Sequence, residues 1–268
     1  MKLSVNGVFY HVDVQGKGEP LLLLHGFTGS SETWKTFYTQ WKHYRLINID
    51  IIGHGQTDSP SYVHLYTMES MCEVITCILR QLNVSKAHVL GYSMGGRLAL
   101  SFATFYPQFV QSLILESASP GLETEIEREH RRQSDEALAQ EIELKGIESF
   151  VNQWENIPLF ASQKKLPANT QQHIRQERLQ QTERGLANSL RGMGTGVQKS
   201  LWNELQAVDA PVLLLAGDED QKFCQIAMKM EKLLPKSTKK IISRAGHAIH
   251  VEQPQIFGTI VNEFISTT

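Results

Sequence analysis

The run Gly91-Tyr92-Ser93-Met94-Gly95-Gly96 constrains this chain more than any other. It has the pattern Gly-x-Ser-x-Gly. The apolar residues 87–91 before it read as a buried strand, and residues 97–105 after it read as a helix that Pro107 stops. The spacing has a steric cause. A serine placed on a sharp strand-to-helix turn needs neighbours two positions away that are almost free of side chain. Such a turn presents the hydroxyl at a helix N-terminus, where free N–H groups and the helix dipole favour negative charge. The segment therefore predicts an activated serine on a strand–turn–helix unit.

The rest of the chain repeats that unit. A β-rich start over residues 3–14 is followed by apolar or β-branched runs at 21–24, 45–51, 87–91, 110–116, 211–216 and 240–243. Helical patterns at 68–82, 97–105 and 254–265 alternate with them. Short apolar strands alternating with helices predict an α/β class with a mostly parallel sheet, buried on both faces. Residues 121–205 break the rhythm. They are polar, charged and helical in period, without a good strand, and Pro158 and Pro167 interrupt them. The expected organisation is a core of residues 1–120 and 206–268 with a helical cap, 121–205, inserted above the strand ends, where open α/β sheets bind ligands.

Composition narrows the function classes. Lys plus Arg number 26 and Asp plus Glu 28, so no overall field favours nucleic acid or a membrane surface. No apolar run is long enough to span a bilayer, and the first residues lack the apolar block of a secretory signal. Cys72, Cys77 and Cys224 have no metal spacing and read as free thiols of a reducing compartment, so a cytoplasmic location is expected.

A serine hydroxyl needs a base, and the base needs an orienting acid. His247 follows the strand at 240–243, and Asp218, Glu219 and Asp220 follow the strand at 211–216, so both groups lie just beyond strand ends. The order serine, acid, histidine is the one used with this elbow. Three consecutive carboxylates cannot all face one imidazole, and spacing alone leaves the choice open. Leu24-His25-Gly26-Phe27 ends an earlier strand, and the loop there is expected to supply one oxyanion donor, the Phe27 N–H, beside that of Met94. His25 reads as a structural hydrogen-bonder and His54 as part of a tight turn. His250, three residues after His247, reads as packing or pocket lining; without a third ligand the pair predicts no metal.

Along essentially its whole length the chain resembles the α/β-hydrolase superfamily. Within it, a set of segments resembles one branch. They are Gly91 to Arg97, Pro120-Gly121-Leu122, Glu127-Arg128 and Arg131 with Ser134-Asp135, Trp154 with Pro158-Leu159-Phe160, Gly217-x-x-Asp220 with Lys222-Phe223, and Arg244-Ala245-Gly246-His247 with His250. That branch is the 2-succinyl-6-hydroxy-2,4-cyclohexadiene-1-carboxylate synthases of menaquinone biosynthesis. The resemblance implies Asp220 as the orienting acid. It implies a lyase that uses no cofactor and eliminates pyruvate from a small tricarboxylate, 2-succinyl-5-enolpyruvyl-6-hydroxy-3-cyclohexene-1-carboxylate, with the serine as base. It also implies Arg131 and Arg178 as substrate-binding arginines and Trp154 as a pocket residue.

Three carboxylates call for forked cations. Arg97 lies one helical turn beyond Ser93 and can border the site. The cap adds Arg128, Arg131, Arg132, Arg175, Arg178, Arg184 and Arg191, though Glu125, Glu127 and Glu129 are as well placed to pair some of them as a solvated face. Tyr92, beside the serine, reads equally as a substrate contact or as packing. The triad alone also suits a carboxylesterase or a C–C bond hydrolase, and a hydrolase-fold receptor without catalysis is the remaining class.

Overall fold

The computed structural model describes residues 1–268. Eight strands form one sheet: β1 (Lys2–Val5), β2 (Val8–Gln15), β3 (Pro20–Leu24), β4 (Arg45–Ile49), β5 (Ala87–Tyr92), β6 (Val110–Glu116), β7 (Val212–Gly217) and β8 (Ser237–Ile242). Their spatial order is β1-β2-β4-β3-β5-β6-β7-β8. β1 and β2 run antiparallel to their neighbours, and from β4 to β8 every pairing is parallel. The helices are α1 (Met68–Gln81), α2 (Met94–Phe105), α3 (Glu125–Trp154), α4 (Ala168–Leu179), α5 (Glu183–Met193), α6 (Gln221–Glu231), α7 (Ile249–Glu252) and α8 (Pro254–Ile265). No helix is long and apolar enough to cross a membrane.

β3 and β7 are apolar throughout because both faces are covered, and the buried polar groups of the strands between and beside them, Asn48, His88 and Ser112, are hydrogen-bonded. Leu22 and Leu24 belong to one core cluster and Leu21 and Leu23 to the other, as the two-residue period of a strand requires. Between β6 and β7 the chain builds only helices. There α3 and α5 bury a small core of their own, around Ile142, Phe150, Leu186 and Leu190.

Some local expectations are corrected. The β-rich start over residues 3–14 resolves into a hairpin, since Asn6 (φ 50°) and Gly7 (φ 81°) are both left-handed, the backbone a two-residue hairpin turn needs. The last strand begins at Ser237, earlier than its apolar residues suggest. β8 is an edge strand, with side chains solvated enough to be polar. The strand expected to reach 51 stops at Ile49. The helix after the elbow starts at Met94, so Gly95 and Gly96 lie in its first turn.

The chain passes from β3 to β4 on one side, then crosses to β5 on the other. That reversal opens a crevice at the C-terminal ends of β3 and β5, the usual ligand position in such sheets. Phe27 lies just past one strand and Ser93 just past the other.

Candidate active site

Ser93 sits at φ 51°, ψ −107°, outside the relaxed regions for a residue with a side chain. The glycines make this possible. A Cβ on Gly91 would lie 2.2 Å from the Gly95 carbonyl oxygen, and one on Gly95 would lie 2.2 Å from that of Leu24. The Ser93 N–H is tied to the Glu116 carbonyl at the end of β6 (2.9 Å).

His247 reaches the serine from the loop after β8. Its Nε2 lies 2.9 Å from Ser93 Oγ, and its Nδ1 lies 2.7 Å from Asp220 Oδ2. Since a carboxylate only accepts, Nδ1–H donates to Asp220 and Nε2 is left to accept the hydroxyl proton. Asp220 is itself held by capping α6, its Oδ1 accepting from the Phe223 N–H (3.3 Å). The other two carboxylates are occupied elsewhere. Asp218 accepts from the Ala245 N–H, and Glu219 pairs with Lys165 (2.7 Å). The choice that spacing left open therefore falls on Asp220.

Two backbone N–H groups beside the serine, those of Phe27 and Met94, have no hydrogen-bond partner in the chain. Ser93, Met94, Phe27 and His247 all border one cavity of about 210 Å³. Trp154 borders it too, stacked on Phe150 (5.4 Å) and edge-on to Phe27 (5.5 Å), with a buried indole N–H that has no partner.

The arginines separate into three groups. Arg97 lines this cavity, and its Nη1 donates to the Met193 carbonyl (2.8 Å) and Gln198 Oε1 (2.6 Å). No carboxylate pairs with it. Burial, and secondarily Arg131, pull its pKa down to about 9. Arg131 lines the same cavity and donates from Nε to Asp135 Oδ1 (2.7 Å). Arg178 does not reach this chamber. It is buried beside an adjoining cavity of about 360 Å³, with its guanidinium 4.6 Å over the Phe160 ring and Nη2 on Gln163 Oε1 (3.2 Å). Phe27, Tyr92 and Phe160 border both chambers. Arg128, Arg132, Arg175 and Arg191 form surface ion pairs with glutamates.

Tyr92 stands edge-on to His250 (4.6 Å), with its ring 5.5 Å from that of His247. Burial, then the charge of Glu116, raises its hydroxyl well above the usual range. His250 is committed by its Nδ1 to the buried Glu116 carboxylate (2.9 Å). His25 donates from Nδ1 to the Gly26 carbonyl (2.8 Å) and accepts the Ile51 N–H at Nε2 (2.9 Å); burial pulls its pKa to about 4. The cation that sequence reasoning missed is Lys222, at the cavity rim in the first turn of α6. Its position two residues after Asp220 was the available signal, but lysines in such turns are usually solvated.

A strained serine, a histidine bonded to an acid, and two free N–H groups on one cavity have the arrangement of an α/β-hydrolase-type site. The sequence profile described as alpha/beta hydrolase fold matches residues 19–254, and the chain belongs to that family. A Bacillus subtilis (strain 168) protein is 47% identical over 98% of this chain and 96% of its own length. It bears the provisional name 2-succinyl-6-hydroxy-2,4-cyclohexadiene-1-carboxylate synthase. A Citrobacter koseri protein bearing that synthase name outright is 30% identical over 88% of this chain and 90% of its own. Among solved structures, one described as MenH from S. aureus superposes with a TM-score of 0.91 at 39% identity, covering 96% of this chain and 98% of that one.

Proposed function

We propose that this chain is a carbon–oxygen lyase of menaquinone biosynthesis. It eliminates pyruvate from 2-succinyl-5-enolpyruvyl-6-hydroxy-3-cyclohexene-1-carboxylate to give 2-succinyl-6-hydroxy-2,4-cyclohexadiene-1-carboxylate. The observation that carries the reading is the shared cavity, where a serine–histidine pair faces an arginine lacking any carboxylate partner. An esterase for apolar acyl chains gains nothing from that unneutralised cation. A substrate with three carboxylates does. The synthase names of the relatives agree with it.

In this reading His247 takes the hydroxyl proton and Ser93 Oγ removes the ring proton next to the succinyl ketone. Asp220 stabilises the resulting imidazolium. Negative charge moves to the ketone oxygen, where the Phe27 and Met94 N–H groups hold the enolate. The enolate then re-forms the ketone as the bond from the ring to the enolpyruvyl oxygen breaks. That oxygen leaves with the electron pair, and one proton returned through His247 completes pyruvate. One C–H and one C–O bond break and one ring C=C forms, so no electron acceptor is required. Residues 121–205 act as the cap over the core formed by 1–120 and 206–268. Arg97 and Arg131 meet substrate carboxylates, Trp154 and Tyr92 shape the pocket, and Arg178 serves a carboxylate arm extending into the adjoining chamber.

Incubating the purified protein separately with the enolpyruvyl substrate and a chromogenic ester tests the reading. Rapid pyruvate release with slow ester turnover is expected. Fast ester hydrolysis without pyruvate would identify a hydrolase instead.

A further inference from the structure

The loop that carries the Phe27 N–H is under strain. Thr28, β-branched and buried, has φ 69°, and Gly29 closes a tight turn on the Gly26 carbonyl (3.0 Å). A β-branched residue at positive φ is strained and persists only where its surroundings fix it. What fixes this loop comes largely from another part of the chain. One carboxylate oxygen of Glu177, on α4, accepts three bonds: the Ser30 N–H (2.8 Å), the Ser30 hydroxyl (2.9 Å) and the Thr33 hydroxyl (3.0 Å). One turn further along, Gln181 donates to the Gly29 carbonyl (3.4 Å) and accepts from the Gly55 N–H (3.1 Å). The Phe27 ring is meanwhile gripped by Phe150 and Trp154 of α3.

We propose that Glu177 is a positioning residue for catalysis: by clamping Ser30 and Thr33 it holds the strained 26–30 loop so that the Phe27 N–H points at the developing enolate. Glu177 lines the adjoining chamber and makes no bond to Ser93; one of its carboxylate oxygens is committed to the loop. It acts through the loop, and it makes the oxyanion site dependent on α4, nearly 150 residues away in sequence. All three bonds converge on a single carboxylate oxygen, so one acceptor atom carries the role. The inference rests on the lyase reading for its assay but not for its logic, since an oxyanion site serves ester chemistry equally.

The test compares Glu177→Ala, Glu177→Gln and the double variant Ser30→Ala/Thr33→Val by steady-state pyruvate release and thermal unfolding. A donor that acts only in the transition state affects kcat, so Glu177→Ala is expected to lose kcat by on the order of 30-fold with KM held within about threefold. Glu177→Gln keeps the acceptor oxygen and is expected to recover most of that loss. The loop-side double variant removes two of the three contacts without altering α4 and keeps the Ser30 N–H bond, so it is expected to reproduce part of the loss, with less than additive effect when combined with Glu177→Ala. A kcat for Glu177→Ala within about threefold of the unaltered chain overturns the inference. So does a loss confined to KM, which would place the effect at neighbouring Arg178, or a Glu177→Gln variant as impaired as Glu177→Ala. If the unaltered chain releases no pyruvate but cleaves esters, the lyase reading fails, and the same comparison made on ester turnover still decides the role of Glu177.

Discussion

Arg97 holds its charge against two neutral oxygens, the Met193 carbonyl and the Gln198 amide, in a cavity with a reactive serine. Burying a cation without a counterion is costly unless a ligand supplies the charge. Arg97→Ala should therefore lower kcat/KM by about 30- to 1000-fold, a loss of about 2–4 kcal/mol of transition-state binding, with the fold retained. Steady-state kinetics with circular dichroism checks it, and a change below about threefold would leave Arg97 as a mere brace between α2 and the segment after α5. Single residues were unevenly legible in the sequence. Ser93 and His247 stood out by motif. Asp220 did not stand out by charge among its neighbours, because what distinguishes it is capping α6 toward the imidazole. Arg178 could be matched but not placed, since the aromatic wall dividing the two chambers arises from residues far apart in the chain. Glu177 had no signal at all: its partners lie on another element, and a glutamate on a polar helix reads as solvated.

At the level of elements, period and glycine placement carried most of the fold. The buried parallel strands were legible as short apolar or β-branched runs, unbroken in β3 and β7 and carrying single buried polar residues in β4 and β5. The first hairpin was legible only as a β-rich stretch, although the apolar alternation changes phase at Asn6-Gly7, from Leu3 and Val5 to Val8, Tyr10 and Val12. The edge strand β8 was displaced because its first residues are polar. α3 reads as one long helix, yet it breaks at Gly146 (φ 80°, ψ 170°), letting its second half turn back to pack Phe150 against α5. A Cβ at Gly146 meets only Glu183 Oε1, at 3.7 Å, so the penalty for a side chain there is in the backbone. Gly146→Ala should cost on the order of 1–3 kcal/mol, lowering the melting temperature by at least about 2 °C. An unchanged or higher melting temperature by calorimetry would mean that the kink is not required.

Across the whole molecule, two neutral histidines are built into the floor beneath the loop. The rings of His25 and His54 lie 5.2 Å apart, fully buried. Burial is the main reason their pKa values fall, from 6.5 to about 4 for His25 and about 3 for His54, and each also makes a bond with Nδ1 as donor. Because the unfolded chain protonates first as pH falls, the stability these residues contribute is whole above pH 6.5. It is lost progressively as pH drops toward 4, on the order of 3 kcal/mol for His25 alone. Urea midpoints should fall across that interval, and NMR should find both imidazoles still neutral at pH 5. Ring signals titrating near 6.5 would contradict the burial argument. The class of fold and the order of catalytic groups were legible from one sequence because local sterics and chain order fix them. Which cavity each arginine enters depends on how helices separated by many residues pack, and no single segment encodes that.

The most direct measurement of the chemistry is pyruvate release from the enolpyruvyl substrate by Ser93→Ala beside the unaltered chain. Removing the hydroxyl that takes the ring proton should reduce kcat by about a thousandfold or more while the variant remains folded. A Ser93→Ala protein that still releases pyruvate within about tenfold of the normal rate would show that the proton goes elsewhere, and would contradict the account.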